Sequence, residues 1–256
     1  MAEKILVTED LTKQYKKAYA VNSVSMSIDR RDIYGFIGTN GAGKTTFMRM
    51  VCGLVKQTKG KVSLFGVQGE KALQDARKKL GALIEHPALY TNMSALENLE
   101  VQRRYLATDL GKNPKEAMDE LLELVDLKDT GRKKAGNFSM GMKQRLGLAI
   151  ALIGSPEFII LDEPSVGLDP IGVVDLRKLL LKLNRERGIT ILFSSHNLSE
   201  MSQLATRYGF LHKGRLVREL TAAQLEQECT SQGKNLESYF VELVESFQNG
   251  TWHSSH

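Results

Sequence analysis

The segment Gly38-Thr39-Asn40-Gly41-Ala42-Gly43-Lys44-Thr45 constrains this chain more than any other stretch. A glycine, four residues and Gly-Lys-Thr stand directly after the apolar run Ile33-Tyr34-Gly35-Phe36-Ile37, which reads as a strand. A helix is expected to follow from about Thr45 to Leu54. Strand, glycine turn and helix in that order can hold a polyphosphate. Glycines let the main chain curl round an anion, the free amides of the first helical turn point at it, and the helix dipole adds positive potential there. Lys44 is suited to bridge the β- and γ-phosphates and Thr45 to give its hydroxyl to Mg²⁺. Residues Gly38 to Thr45, with Thr46, are the expected nucleotide-binding set. An ordinary glycine turn can match the bare pattern, so the motifs downstream decide.

At 256 residues with 42% hydrophobic content, the chain can bury a proper core. Short strands are expected at Ile5 to Thr8, at Ser23 to Ile28 with its alternating apolar positions, and at Ile33 to Ile37. From Lys71 to about Gly154 the pattern turns helical and reads as an insertion, with one helix starting at Pro114. Strand character returns at Phe158 to Leu161 and Thr190 to Phe193, around a helix near Val173 to Asn184. That alternation predicts an α/β fold with a mostly parallel sheet and crossover helices. Asn235 to Val244 is expected to be an amphipathic helix, and 248–256 a polar, disordered tail. There is no internal repeat and no long linker.

No apolar stretch reaches membrane-spanning length, and the start Met1-Ala2-Glu3-Lys4-Ile5 lacks a secretory h-region. Cys52 and Cys229 are the only cysteines and lie far apart, so a reducing cytosol is expected rather than a disulfide framework. The net charge of +5 is spread along the chain. No basic motif interleaved with aromatic residues accompanies it, so no nucleic-acid partner is expected.

Two further segments fit phosphate chemistry. Phe158-Ile159-Ile160-Leu161 runs into Asp162-Glu163, which sets two carboxylates at a strand's carboxyl end, where open α/β sheets bind ligands. Carboxylates are costly there without cations. Asp162 suits Mg²⁺, usually through water, while Glu163 would polarise the water that attacks the γ-phosphate. His196, ending Phe193-Ser194-Ser195-His196, fits a γ-phosphate sensor that orients Glu163 and that water. His86, His212, His253 and His256 lack such a setting.

Kinases, GTPases and helicases also carry phosphate loops. Phe138-Ser139-Met140-Gly141-Met142-Lys143-Gln144-Arg145-Leu146 resembles the signature motif of ABC transporter ATPases, in a variant form that keeps Ser and the second Gly. Tyr15 upstream, Gly167-Leu168-Asp169 after Glu163, and Ser195-His196 complete the ordered motif set over roughly Ile5 to Leu220. The resemblance implies a P-loop NTPase with a RecA-like mostly parallel sheet, an antiparallel β-subdomain and a helical insertion. The expected boundaries are one domain over 1–247, with a helical subdomain at about 86–154 and C-terminal helices at about 221–247. It also implies roles. Tyr15 stacks on adenine, Ser139, Met140, Gly141 and Met142 close over the γ-phosphate of a second copy, and Asp169 links the two sites. ATP and Mg²⁺ are the implied cofactors. A second copy arranged head to tail and an integral membrane permease are the implied partners, and the chain would lie peripherally on the cytoplasmic face.

Two departures stand out. Most members of the family carry Gln where the sheet meets the helical insertion; this chain has Glu85, within Gly81-Ala82-Leu83-Ile84-Glu85-His86-Pro87-Ala88-Leu89-Tyr90. With Asn92 to Leu99, this stretch is similar to the bacitracin-resistance and lantibiotic-immunity ATPases, where Glu often stands. Glu85 could reach Mg²⁺ directly or through water, with one more negative charge than Gln, or could simply face solvent. Met140 and Met142 also replace the common Gly and Gln of the signature. The implied function is a transport motor, with peptide-antibiotic export or self-protection as cargo role. The alternative is a soluble ATPase of the same fold; such proteins usually show tandem nucleotide domains or a long coiled coil, and this chain shows neither.

Overall fold

The computed structural model describes residues 3–111 and 113–249, and only the backbone of Glu200 and Gln248. The expected tail, 248–256, therefore lies almost wholly outside the described residues. Strands β1 (Lys4–Tyr15), β2 (Ala18–Asp29) and β4 (Lys59–Leu64) form an antiparallel sheet in the order β2-β1-β4. A second sheet contains β3 (Ile33–Ile37), β5 (Leu80–Leu83), β6 (Phe158–Leu161), β7 (Thr190–Ser195), β8 (Arg207–His212) and β9 (Arg215–Thr221). Its order is β5-β6-β7-β3-β8-β9, parallel except for the β8–β9 hairpin.

The central strands β3, β6 and β7 are buried along their whole length because both faces are covered. Successive side chains point to opposite faces, so each strand feeds two cores. Ile33, Ile37, Ile159, Leu161, Ile191 and Phe193 pack with the helical region and the C-terminal helices. Tyr34, Phe36, Phe158, Ile160 and Leu192 pack instead with α1 (Lys44–Val51) and the antiparallel sheet.

Helix α2 (Glu70–Ala76) precedes β5, and α3 (Ala95–Leu106), α4 (Pro114–Leu124) and α5 (Met140–Leu152) follow it. Ser94 and Glu97 form a capping box that starts α3, and Asn113 with Pro114 starts α4. Helix α6 (Pro170–Arg187) crosses from β6 to β7, and α7 (Leu198–Ser202) connects β7 to β8. Helices α8 (Ala222–Ser231) and α9 (Leu236–Gln248) close the described chain. In α9, Tyr239 and Phe240 rest on Phe210 of β8. Cys52 and Cys229 are free. No helix among the described residues is long and apolar enough to cross a membrane.

The sequence expectations need three corrections. Helix α1 stops at Val51, short of Leu54, because Gly53 takes a left-handed φ of 75° and turns the chain. The stretch from Lys71 is not helical throughout: β5 interrupts it as a parallel edge strand beside β6. Strands β4, β8 and β9 add to those expected. The β8–β9 turn has Lys213 at φ 44° and Gly214 at φ 77°, a two-residue hairpin with both central residues left-handed.

Strands β6, β7 and β3 are neighbours and run in the same direction. Their carboxyl ends lead into Asp162, His196 and Gly38 respectively. Three segments distant in sequence thus open onto one edge of the sheet.

Candidate functional site

The phosphate loop is held from behind by main chain. Gly43 has φ 107°, and a Cβ there would lie 2.2 Å from the carbonyl oxygen of Ala20, so only glycine fits. The N–H of Gly214, in the β8–β9 turn, donates to the Ala42 carbonyl at 2.8 Å. Helix α1 starts without a side-chain cap, which leaves the amides of its first turn free for an anion. Lys44 Nζ is folded back, donating to the carbonyls of Gly38 at 2.6 Å and Thr39 at 3.3 Å. Burial lowers the Lys44 pKa, opposed by the carboxylates of Glu163 and Asp162.

Asp162 is buried and accepts two hydrogen bonds. Thr45 Oγ1 donates to Oδ2 at 2.6 Å and Ser194 Oγ donates to Oδ1 at 2.6 Å. The same Ser194 oxygen accepts the Glu163 N–H at 2.9 Å. One hydroxyl thus ties the two acidic positions to the end of β7. Glu163 sits at φ 49°, a left-handed conformation unusual for a non-glycine residue, and this aims its side chain away from the strand direction. Its Oε1 lies 3.8 Å from Lys44 Nζ, and its Oε2 lies 3.0 Å from His196 Nδ1. A carboxylate only accepts, so this contact is a hydrogen bond when the His196 proton is on Nδ1.

Lys44, Thr45, Asp162, Glu163 and His196 therefore form one connected group. Ser194 belongs to it and was not singled out in the sequence; its place two residues before His196, at the same strand end, was the available signal. The other expected residues stand apart. Tyr15 is half-exposed at the end of β1, with Lys13 Nζ 4.9 Å from its ring centroid. Ser139 caps α5 by accepting the Met142 N–H at 3.2 Å. Met140 is exposed and lies against Gly167, while Gly141 abuts Leu168. Asp169 caps α6 by accepting the Gly172 N–H at 2.7 Å, with Pro170 at the first helical position. Glu85, at φ 61°, directs its Oε2 to Arg49 Nη2 at 2.7 Å. Among the described residues, none of these positions shares a hydrogen bond or ion pair with the Lys44 group.

Comparison with known proteins identifies the family. Residues 21–166, more than half of the chain, match the family described as ABC transporter. The chain is 44% identical over 223 residues to the bacitracin transport ATP-binding protein BcrA of Bacillus licheniformis, covering 87% of this chain and 72% of the relative. It is 42% identical over 215 residues to the lantibiotic transport ATP-binding protein SrtF of Streptococcus pyogenes, covering 84% and 90%. Among solved structures, an ATP-binding subunit of an ABC transporter superposes with a TM-score of 0.82 at 27% identity, covering 93% of this chain and 99% of that one. The ATP-binding cassette MJ0796, in a dimeric post-hydrolysis state bound to ADP and Pi, gives 0.78 at 26% identity over 85% and 98%. This chain belongs to the ABC transporter family, as an ATP-binding subunit.

Proposed function

We propose that this chain hydrolyses ATP, with Mg²⁺, to drive a separate integral membrane permease that exports or expels a peptide antibiotic of the bacitracin or lantibiotic kind. The observation that carries the hydrolytic part is the Glu163 carboxylate, held between Lys44 and His196 beside the glycine loop. In that position it can accept a proton from water, while Lys44 and the loop amides balance phosphate charge. Lys44 donates its hydrogen bonds to two main-chain carbonyls, which it would release on turning to a phosphate, while staying within 3.8 Å of Glu163.

The residues also fit a divalent cation. The Thr45 hydroxyl and the Asp162 carboxylate are hard oxygen donors already in contact, at a strand end where a buried carboxylate needs a positive partner. Mg²⁺ bound there would neutralise charge on the β- and γ-phosphate oxygens. Thr45 and Asp162 would hold it, and Glu85 would join its outer shell. Tyr15 would stack on adenine, with Thr39, Asn40, Gly41, Ala42 and Thr46 completing the contacts of the loop.

Ser139, Met140, Gly141 and Met142 form a partly exposed helix start that, among the described residues, shares no hydrogen bond or ion pair with the Lys44 group, which supports a head-to-tail pair in which each copy completes the other's site. Asp169 would join the two sites. A groove of about 400 Å³ between Ala88, Leu89, Tyr90, Val101, Tyr105 and Ile150 offers apolar surface for a permease. The chain would then work from the cytoplasmic face of the membrane. The cargo reading rests on the two named relatives.

Substituting Glu163→Gln tests the core of this reading. ATP binding should persist, turnover should fall about 10²- to 10⁴-fold, and ATP should trap a dimer. Normal turnover would sink the assignment.

A further inference from the structure

Thr45 and Arg49 are four residues apart on α1, so they share one face of the helix and are offset by about 6 Å along its axis. The strand leading to Glu85 passes beside Asp162, whose N–H donates to the Leu83 carbonyl at 2.8 Å. Glu85 thus leaves β5 close to the Thr45–Asp162 oxygens, yet its carboxylate is bound one turn further along α1, to Arg49 at 2.7 Å. We propose that Arg49 is a positioning residue that parks the Glu85 carboxylate away from the Thr45–Asp162 oxygens, and that Glu85 exchanges Arg49 for the cation when Mg²⁺–nucleotide binds. The proposal rests on the reading of Glu85 as a residue of the metal shell.

Charge gives the reason for a parking place. Before a cation is bound, a third carboxylate beside Asp162 and Glu163 would be repelled by both. Gln at this position would feel no such repulsion and could form no ion pair. The Glu85–Arg49 pair therefore offsets the extra negative charge that distinguishes this chain. The pair is also easily released: the two side chains are 53% and 38% exposed, and ion pairs in such settings hold weakly. Glu85 itself sits at φ 61°, a left-handed conformation uncommon for a non-glycine residue.

The movement would reach the signature helix. Two residues after Glu85, Pro87 packs so closely on α5 that a Cβ at Gly147 would lie 2.6 Å from its own Cβ. Helix α5 is the one that begins at Ser139. Release of Glu85 thus bears directly on the element that would meet the other copy.

The test uses the purified full chain, a non-hydrolysable fluorescent ATP analogue titrated with Mg²⁺, and amide hydrogen exchange without nucleotide. Arg49→Gln should lower the Mg²⁺ concentration at half-saturation about two- to fivefold and speed exchange at the amides of Glu85, His86 and Ala88, while Arg49→Lys keeps both near the original. With Glu85→Gln already present, Arg49→Gln should add nothing. If Arg49→Gln changes neither readout while Glu85→Gln still shifts the titration, Glu85 serves the metal but Arg49 does not park it, and the proposal falls alone. If Glu85→Gln leaves the titration unmoved, the metal reading of Glu85 falls and takes the proposal with it. An equal Arg49→Gln shift in both backgrounds also overturns it, because Arg49 would then act without Glu85.

Discussion

Helices α1 and α5 both begin at a motif read as phosphate-directed, and their starts are built in opposite ways. The start of α1 has Gly43 as its cap with no side-chain hydrogen bond, is walled in by Ala20 and Gly214, and shares Thr45 with the buried Asp162. The start of α5 is exposed, and Ser139 satisfies one of its amides, with only Met140 and Gly141 resting on Gly167 and Leu168. An uncapped, buttressed helix start holds its amides ready at a fixed place. A self-capped, exposed start costs little to leave unliganded and can wait for a partner's surface. The two halves of the proposed composite site thus differ in who completes them.

Substitutions should separate the halves. Gly43→Ala strikes the buttress: its methyl would collide with the Ala20 carbonyl at 2.2 Å and strain φ at 107°. We expect a loss of about 2–4 kcal/mol in chemical denaturation and no measurable ATP binding. Ser194→Ala removes one donor from Asp162 and one acceptor from the Glu163 N–H. A cost of about 1–3 kcal/mol is expected, with a drop in hydrolysis smaller than that from Glu163→Gln. Ser139→Ala should cost only about 1 kcal/mol, through its lost cap. It should leave nucleotide binding by the single chain intact while weakening the ATP-dependent dimer in sedimentation. If Ser139→Ala instead abolished binding by the single chain and spared the dimer, the contrast between the two helix starts would be wrong.

Much of the scaffold was legible from local pattern. The runs Ile33 to Ile37, Phe158 to Leu161 and Thr190 to Phe193 read as buried strands because apolar residues dominate strands covered on both faces. Strand β4 carries little strand signal because Lys59, Gly60 and Lys61 make up its exposed half and only Val62, Ser63 and Leu64 are buried. Strand β5 has four residues and lies inside a helical stretch, so no period could emerge. The β8–β9 hairpin does carry a local signal, Lys213-Gly214 between two apolar-bearing runs. In the site, residue types at strand ends point to Asp162, Glu163 and His196, and the glycine loop points to Lys44. Ser194 and Arg49 were hidden because serine and arginine occur in many settings, and their roles depend on partners far away in sequence.

The sequence by itself determined the phosphate loop, the acidic strand end, the signature-like helix start and their order, each of which is a local pattern of residue type and spacing. Only the tertiary structure decided that β6, β7 and β3 lie side by side, that one Ser194 hydroxyl serves both Asp162 and Glu163, and that Glu85 is paired with Arg49. The physical reason is range. Strand and helix periods are set by neighbours along the chain, whereas the lateral order of strands and the pairing of polar side chains are set by the packing of segments a hundred residues apart.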